Sequence, residues 1–252
     1  MRVLLTIEYD GTDFFGWQIQ PNKRTVQGVL TDAISSLLGQ KVTLHGSGRT
    51  DAGVHALGQK AHFDWEDPAE TFSLEKLPFA INTKLPPDVC VKEAVAVAET
   101  FEAQYSAKKK TYRYSFYLSR INRPMLDRYA TQVPYSEEKF VAEKAREGLK
   151  HLIGEHDFLA FSSTGRPVKS SVRTIYAATL ERAENGVWSI TVTGNGFLYN
   201  MVRIIAGTIV EVGLGVRPAE YICDALTTGG RTWCGKTFPA RGLTLVSVEY
   251  TD

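Results

Sequence analysis

The sequence predicts an α+β protein made of two ferredoxin-like halves, in which two split βαβ units with mainly antiparallel sheets form a central cleft. The first observation is the order of its predicted elements, which is strand, helix, strand, strand, helix, strand in the first half. The second observation is that the second half repeats this order. The third is that 252 residues, of which 43% are hydrophobic, can build the cores of two small domains. We place the boundary near 100–106, which divides the chain into 1–105 and 106–252.

The first half begins with apolar residues that alternate from Val3 to Tyr9 and predict a strand. Thr25 is expected to cap a helix that ends before Gly39. The remaining elements are predicted at 42–45 (strand), 61–65 (strand), 73–82 (short helix) and 88–98 (strand). Four valines of the last strand are expected to share one face, namely Val89, Val91, Val95 and Val97.

The second half begins with a predicted strand at 108–118. Ser136 is expected to cap a helix whose first turn holds Glu137 and Glu138, where the helix dipole favours acidic residues. Asn185-Gly186 is a strong turn signal and predicts a hairpin. The elements that follow the helix are predicted at 171–181 (strand), 187–193 (strand), 198–212 (helix), near Pro218 (start of a further helix) and 243–250 (strand).

Composition excludes several classes of protein. The formal net charge is only +1, so the chain is not a generally basic nucleic-acid binder and any RNA contact must come from local basic patches. Cys90, Cys223 and Cys234 form no close pair, which disfavours a metal site or a disulfide framework and fits a reducing compartment. No signal-peptide core or membrane span is expected, so a location in the cytoplasm is predicted.

The segment His45–Gln59 contains four glycines together with Arg49 and Asp51. Asp51 could be an ordinary turn residue that binds its own backbone. Alternatively, a carboxylate held in a tight loop beside an arginine can act as a nucleophile or a base. A phosphate cradle is a third interpretation, although the lysine-serine ending of a P-loop is missing.

Two further segments contain candidate functional residues. The basic run Lys108, Lys109 and Lys110 enters a strand that carries Tyr112, and it is either a solvated surface or an edge that binds phosphates beside a ring that stacks on a base. Arg203 interrupts the apolar side of a predicted helix, which indicates a buried anionic partner, with Asp51 as one candidate.

Taken together, these segments resemble the TruA family of tRNA pseudouridine synthases. The resemblance depends mainly on the run Gly48-Arg49-Thr50-Asp51-Ala52-Gly53-Val54-His55, which is highly specific. The other matching segments are Tyr9-Asp10-Gly11-Thr12, Gly16-Trp17-Gln18, Thr25-Val26-Gln27, Lys110-Thr111-Tyr112-Arg113-Tyr114 and Gly196-Phe197-Leu198-Tyr199-Asn200-Met201-Val202-Arg203. They cover the whole chain in the order of the family.

The resemblance implies an isomerase that converts uridine to pseudouridine at positions 38–40 of the tRNA anticodon stem-loop. It implies that Asp51 is the nucleophile and that Arg203 pairs with it. It further implies that Tyr112 stacks on the substrate and that Arg49 helps to hold or displace the target nucleotide. A homodimer is expected, and neither a cofactor nor a metal is expected.

Two alternatives stay open. A non-catalytic RNA-binding module of paired ferredoxin-like units would explain the fold and the basic strand, but not an aspartate flanked by arginine in a glycine-rich loop. A hydrolase that depends on a carboxylate would need a second acid near the first.

Overall fold

The computed structural model describes residues 1–66, 73–163 and 169–251. The chain divides into two compact units, Met1–Lys108 with Thr244–Asp252, and Lys109–Leu243. The elements that begin in the first 108 residues are β1 (Arg2–Tyr9), α1 (Val26–Leu38), β2 (His45–Gly46), β3 (His55–Asp64), α2 (Leu77–Asn82) and β4 (Val89–Val97). The later elements are β5 (Lys109–Leu118), β6 (Thr131–Val133), α3 (Ala142–Lys150), β7 (Gly154–Asp157), β8 (Val172–Arg182), β9 (Val187–Gly194), α4 (Met201–Gly213), α5 (Tyr221–Thr228) and β10 (Leu243–Glu249).

The sheet of the first unit has the strand order β4-β1-β3-β2. β1 pairs antiparallel with both β3 and β4, and β2 pairs antiparallel with β3 at His45 and Gly46. This is the order expected when two βαβ units are interleaved, so the α+β fold with mainly antiparallel pairing is confirmed. At the other end of β3, β10 adds a parallel pairing in which Thr244 lies opposite His55.

Local signals placed helix α1 correctly. The Thr25 side chain accepts a hydrogen bond from the Gly28 N–H at 3.3 Å, and Gly39 ends the helix with φ of +65°. The buried side of the helix consists of Val26, Leu30, Ala33 and Ile34. The strand predicted at 42–45 is shorter in the structure, where only His45 and Gly46 pair with β3.

The valines of β4 do not share one face, which corrects the prediction. Thr6 lies opposite Glu93, but the next residue of β1, Ile7, lies opposite Val91, so Lys92 is an extra residue in the ladder. Such a bulge moves every later side chain to the other face of the strand. Val89 and Val91 are therefore buried, whereas Val95 is exposed.

In the second unit, β5, β9, β8 and β7 follow one another as antiparallel neighbours. The turn between β8 and β9 lies at Asn185-Gly186, as predicted, with Gly186 at φ +79°. The predicted cap at Ser136 is wrong. Ser136 makes no side-chain cap, residues Glu137–Lys139 form a single 3-10 turn, and the α-helix begins only at Ala142. No helix in the described parts of the chain is long and apolar enough to cross a membrane.

Candidate active site

Asp51 lies in a loop between β2 and β3, residues 47–54, which we call the Asp51 loop. Asp51 itself is half-buried and Arg49 is exposed. The preceding residue, Thr50, is buried, and its hydroxyl group lies 2.8 Å from the Tyr9 hydroxyl group. Trp17 donates its backbone N–H to the Thr50 carbonyl at 3.0 Å. The backbone immediately before Asp51 is therefore held from both sides.

Residues 11–17, which follow β1, form a second segment that lies against the Asp51 loop, and we call it the clasp. Gly53 donates its N–H to the Phe14 carbonyl at 3.3 Å. A Cβ atom at Gly11 would lie 2.0 Å from the Val54 carbonyl oxygen, and one at Gly16 would lie 2.7 Å from the Thr50 carbonyl oxygen. Gly16 also has φ of +83°. Only glycine lets the two backbones approach this closely.

His55 joins the clasp to the start of β3. The Gly11 N–H donates to Nδ1 of His55 at 3.0 Å. An Asp10 carboxylate oxygen lies 3.2 Å from the same nitrogen. The buried imidazole thus fixes the clasp backbone, which is a structural use of histidine.

The other end of the Asp51 loop is held by Gln59. This side chain is fully buried in β3. Its carbonyl oxygen accepts from the Ser47 hydroxyl group at 2.7 Å, and its amide nitrogen donates to the Gly48 carbonyl at 3.1 Å. Because both ends of the loop are held, the position of Asp51 is set before any ligand binds.

In the second unit, Arg203 is held at the first turn of α4. Its Nε donates to the Phe238 carbonyl at 2.7 Å, and one Nη donates to the side-chain oxygen of Asn200 at 2.7 Å. Asn200 precedes α4 with φ of +62°, a left-handed conformation that asparagine tolerates better than most residues. Its amide nitrogen in turn donates to Ser163 Oγ at 2.9 Å.

A close crossing of two backbones places the Phe238 carbonyl beside Arg203. A Cβ atom at Gly207 of α4 would lie 1.9 Å from the Lys236 carbonyl oxygen, and one at Gly235 would lie 2.8 Å from the Gly207 backbone. The Gly235 N–H donates to Thr208 Oγ1 at 2.9 Å. Two glycines therefore let residues 235–238 pass directly against the helix that carries Arg203.

Tyr112 lies on β5, opposite Val192 of β9. The ring of Phe197 meets it edge to face, with 5.1 Å between centroids. Tyr114, two residues further and on the same face of the strand, is buried and hydrogen-bonds to the Pro239 carbonyl at 2.7 Å. Burial raises the pKa of the Tyr114 hydroxyl group. Phe197 and Asn200 belong to one segment, so a single stretch of chain contacts both Tyr112 and Arg203.

The three lysines of the basic run have different surroundings. Lys108 is exposed, and its backbone N–H donates to the Glu249 carbonyl at 2.8 Å. Lys109 places its ammonium group 5.8 Å from the centre of the Tyr176 ring. Burial lowers the pKa of Lys110 to about 8. The three lysines therefore do not form one uniformly solvated surface.

The structure thus places the predicted site residues in two groups. Asp51, Arg49 and Lys108 lie in the first unit, whereas Tyr112, Arg203, Lys109 and Lys110 lie in the second. Three residues that hold Asp51 and Arg203 in place were not predicted from the sequence, namely Gln59, Asn200 and Phe238. Asn200 stood inside a matched motif, but the Phe238 carbonyl had no signal of its own.

No group of three or more His, Cys, Asp or Glu side chains that could hold a metal ion occurs in residues 1–66, 73–163 and 169–251. His62 is buried in β3. Its Nδ1 accepts from the Ala103 N–H at 3.2 Å, its ring stacks on that of His45, and burial lowers its pKa.

Comparisons with known proteins agree on one family. A family model described as tRNA pseudouridine synthase matches residues 5–106 and 149–251. Among the similar relatives, the tRNA pseudouridine synthase A of Caldicellulosiruptor saccharolyticus is 49% identical over 249 residues and that of Ruminiclostridium cellulolyticum is 47% identical over 251 residues. In both cases the alignment covers 99% of this chain and 99% of the relative.

A solved structure with a similar chain is the crystal structure of a Cbf5-Nop10-Gar1 complex. The TM-score is 0.36 at 12% sequence identity, and the match covers 82% of this chain and 54% of that chain. A likeness of this degree decides nothing about the activity.

Proposed function

The chain belongs to the tRNA pseudouridine synthase family, and from this premise we propose that Asp51 is the nucleophile with which it converts uridine to pseudouridine in the anticodon stem-loop of tRNA, at positions 38–40. The observation that carries the proposal is the structure of the Asp51 loop. Backbone contacts and buried side chains hold this loop at both ends, and the Asp51 carboxylate lies between them. An ordinary turn aspartate needs no such support.

The reaction explains why one carboxylate suffices. The bond between N1 of uracil and C1′ of ribose breaks, and a bond between C5 and C1′ forms. N1 gains a proton and C5 loses one, so the product is an isomer and nothing is oxidised or hydrolysed overall. An ionised carboxylate can attack the substrate and hold the separated parts until they rejoin.

The remaining site residues act on the nucleotide before this chemistry. The uracil must leave the base stack, because its edge is otherwise out of reach. In the proposal, Arg49 helps to displace or hold the nucleotide and Tyr112 stacks on the extruded base. Stacking on an aromatic ring contributes about 1–3 kcal/mol per base. The edge-to-face contact with Phe197 supports this role, because it holds the Tyr112 ring in one orientation.

Arg203 is proposed to pair with Asp51 and keep it charged. A nearby positive charge favours the ionised carboxylate, particularly where water is excluded. The two contacts of Arg203 with Asn200 and Phe238 support this role, because they hold the guanidinium group in one place. Lys108, Lys109 and Lys110 are proposed to bind tRNA phosphates.

The proposal extends to the assembly and location of the protein. We expect a homodimer, as the family resemblance implies, and we expect it to act in the cytoplasm on the anticodon arm of tRNA. The mass of the purified protein in solution, measured by light scattering, tests the dimer. A mass near the 28.0 kDa of one chain would contradict it.

The decisive experiment maps pseudouridine in an unmodified tRNA transcript after incubation with the purified protein. We expect modification at positions 38–40, its loss in Asp51→Asn, and normal activity in the matched control Asp32→Asn, which changes an exposed aspartate of α1. Residual activity of Asp51→Asn above about 1% of wild type would contradict the role of Asp51 as nucleophile. Binding without modification by the wild type would instead favour the non-catalytic RNA-binding module.

A further inference from the structure

Phe15, in the middle of the clasp, is an aromatic residue whose exposure the fold does not explain. Its neighbour Phe14 is buried, but 49% of Phe15 is exposed to solvent. Phe14 fills the space beneath the clasp, with its ring edge-on to Tyr9. Phe15 therefore points away from the core, and its ring contributes little to the hydrophobic stabilisation of the unit.

The position of Phe15 is nevertheless fixed. Its N–H donates to the Arg24 carbonyl at 2.9 Å, and its carbonyl accepts from the Gln20 side-chain amide at 2.9 Å. Arg24 itself forms two hydrogen bonds of 2.8 Å with the Asp88 carboxylate. Asn22, at the tip of the turn that follows, adopts φ of +58°, which most residues avoid. The surrounding chain therefore presents the ring in a defined place.

The backbone of Phe15 lies beside the residues that flank Asp51. Phe14 accepts a hydrogen bond from Gly53, and Gly16 approaches the carbonyl of Thr50. Phe15 stands between these two contacts, which bracket Asp51 in the sequence of the Asp51 loop. A nucleotide that presented its base to Asp51 would bring its neighbours in the RNA strand close to this segment.

A positive charge lies over the same ring. The ammonium group of Lys23 is 4.3 Å from the centroid of Phe15, a cation–π distance. An aromatic ring that can stack on a base, next to a cation that can meet a phosphate, is the combination with which proteins hold single-stranded nucleic acid.

We propose that Phe15 stacks on a base that neighbours the target uridine and that Lys23 binds the phosphate of that nucleotide. This inference rests on the proposed function, since it takes Asp51 as the reacting group. When the uridine leaves the RNA stem, the neighbouring base loses the uracil on which it was stacked. The Phe15 ring takes the place of that uracil. Phe15 and Lys23 are thus positioning residues, which hold the substrate strand while Asp51 reacts.

The test measures the affinity for an unmodified tRNA transcript in the Asp51→Asn background, where binding is separated from chemistry. We expect Phe15→Ala and Phe15→Leu to weaken binding about tenfold or more, as for the loss of one stacked base. Phe15→Tyr keeps an aromatic face and should bind within about threefold of the parent. The matched control is Phe79→Ala, which removes an exposed phenylalanine ring from α2 of the same unit.

If Phe15 had only a structural role, Phe15→Tyr would restore the affinity for tRNA no better than Phe15→Leu. Binding of the Ala and Leu variants at the parent's affinity, or equal binding of the Leu and Tyr variants, would overturn the inference.

Lys23→Met should lower the slope of log affinity against log salt by about 0.7 to 0.9, as for one phosphate contact. An unchanged slope would overturn the phosphate contact of Lys23. A wild type that forms no pseudouridine would contradict the proposed function instead, and normal modification by Phe15→Ala would contradict only this inference.

Discussion

At the scale of single residues, Arg203 offers the most direct test of how the site keeps a carboxylate reactive. Replacing it with alanine removes the positive charge that favours ionised Asp51 in our proposal. The acid limb of the profile of kcat/KM against pH should therefore move to higher pH, because that profile reports the free enzyme. Arg203→Lys should be intermediate, since it keeps the charge but loses the geometry held by Asn200 and Phe238.

The matched control is Arg146→Ala, which removes an exposed arginine that pairs with Glu143 on α3. Its acid limb should coincide with that of the wild type. An acid limb of Arg203→Ala that also stays in place would mean that Arg203 does not pair with Asp51 and instead binds a phosphate.

Lys110 provides a second test, in the alkaline range. Burial lowers its pKa to about 8, whereas the pKa of an unperturbed lysine is about 10.4. The free protein therefore loses this charge as the pH rises through about 8, while a bound phosphate favours the charged form. If Lys110 binds phosphate, the affinity for tRNA should fall between pH 7 and pH 9 at constant salt.

Two variants separate this effect from other titrations. Lys110→Arg stays charged over the whole range and should bind tRNA with an affinity that does not change with pH. Lys110→Gln should bind more weakly and also without the pH dependence, and Lys84→Gln, at an exposed site, should behave as wild type. A wild-type affinity that is constant from pH 7 to pH 9 would show that Lys110 does not contact the RNA.

At the scale of elements, the close approach of the clasp to the Asp51 loop can be tested with two glycines. Gly16 and Gly39 both have positive φ, but a Cβ atom at Gly39 meets nothing within 4 Å, whereas one at Gly16 would lie 2.7 Å from the Thr50 carbonyl oxygen. Alanine in this conformation costs about 1–2 kcal/mol at either position. Only Gly16→Ala should also displace the backbone next to Asp51.

We therefore expect Gly39→Ala to lower the melting temperature and leave kcat unchanged. Gly16→Ala should lower kcat by about tenfold or more, because a misplacement of about 1 Å can cost about a hundredfold. Steady-state kinetics and thermal unfolding of both variants check this. Equal kcat values for two folded variants would show that the clasp does not position Asp51.

Which elements the sequence could predict depended on how local their causes are. Helix α1 begins at Thr25 and ends at Gly39 for reasons that lie within a few residues of each, and both ends were predicted. The register of β4 depends on the bulge at Lys92, which only the pairing with β1 reveals. Ser136 has the right residue type for a cap, but the 3-10 turn after it ends at Phe140, whose ring packs edge-on against both Phe116 and Trp188.

The same rule applies to the candidate site. Asp51 and Arg203 could be proposed from residue type and neighbours, because a charged group in a glycine-rich loop or an apolar stripe is visible in the sequence. The Phe238 carbonyl could not, since it reaches Arg203 only through the backbone crossing at Gly207 and Gly235. Pairings that depend on the meeting of distant segments have no local signature.

At the scale of the whole molecule, the balance of charge contrasts with the substrate. The chain has 29 basic and 28 acidic residues, yet tRNA is a polyanion. We expect the affinity for tRNA to fall steeply with salt, because local clusters rather than net charge release counterions. Changing Lys108, Lys109 and Lys110 to Gln should lower the slope of log affinity against log salt by about 0.7 to 0.9 for each lysine that meets a phosphate.

The comparison needs a control with the same change of net charge. Lys41, Lys76 and Lys84 are exposed lysines of the first unit outside the basic run, and replacing all three with Gln should leave the slope near that of the wild type. Equal slopes for the two triple variants would mean that the basic run does not bind phosphates.

The pairing of β10 with β3 has a consequence for how the protein is made. Thr244 and Leu245 lie beside His55 and Ala56, and the Tyr250 hydroxyl group reaches the Ala103 carbonyl. The ribosome must therefore synthesise all of Lys109–Leu243 before β3, the strand that follows the Asp51 loop, can receive its partner. At about 5–20 residues per second this takes roughly 7–27 seconds, during which β3 has an open edge. During that interval the nascent chain is most exposed to strand exchange with a neighbouring copy, and a chaperone that covers the edge of β3 would act at that stage.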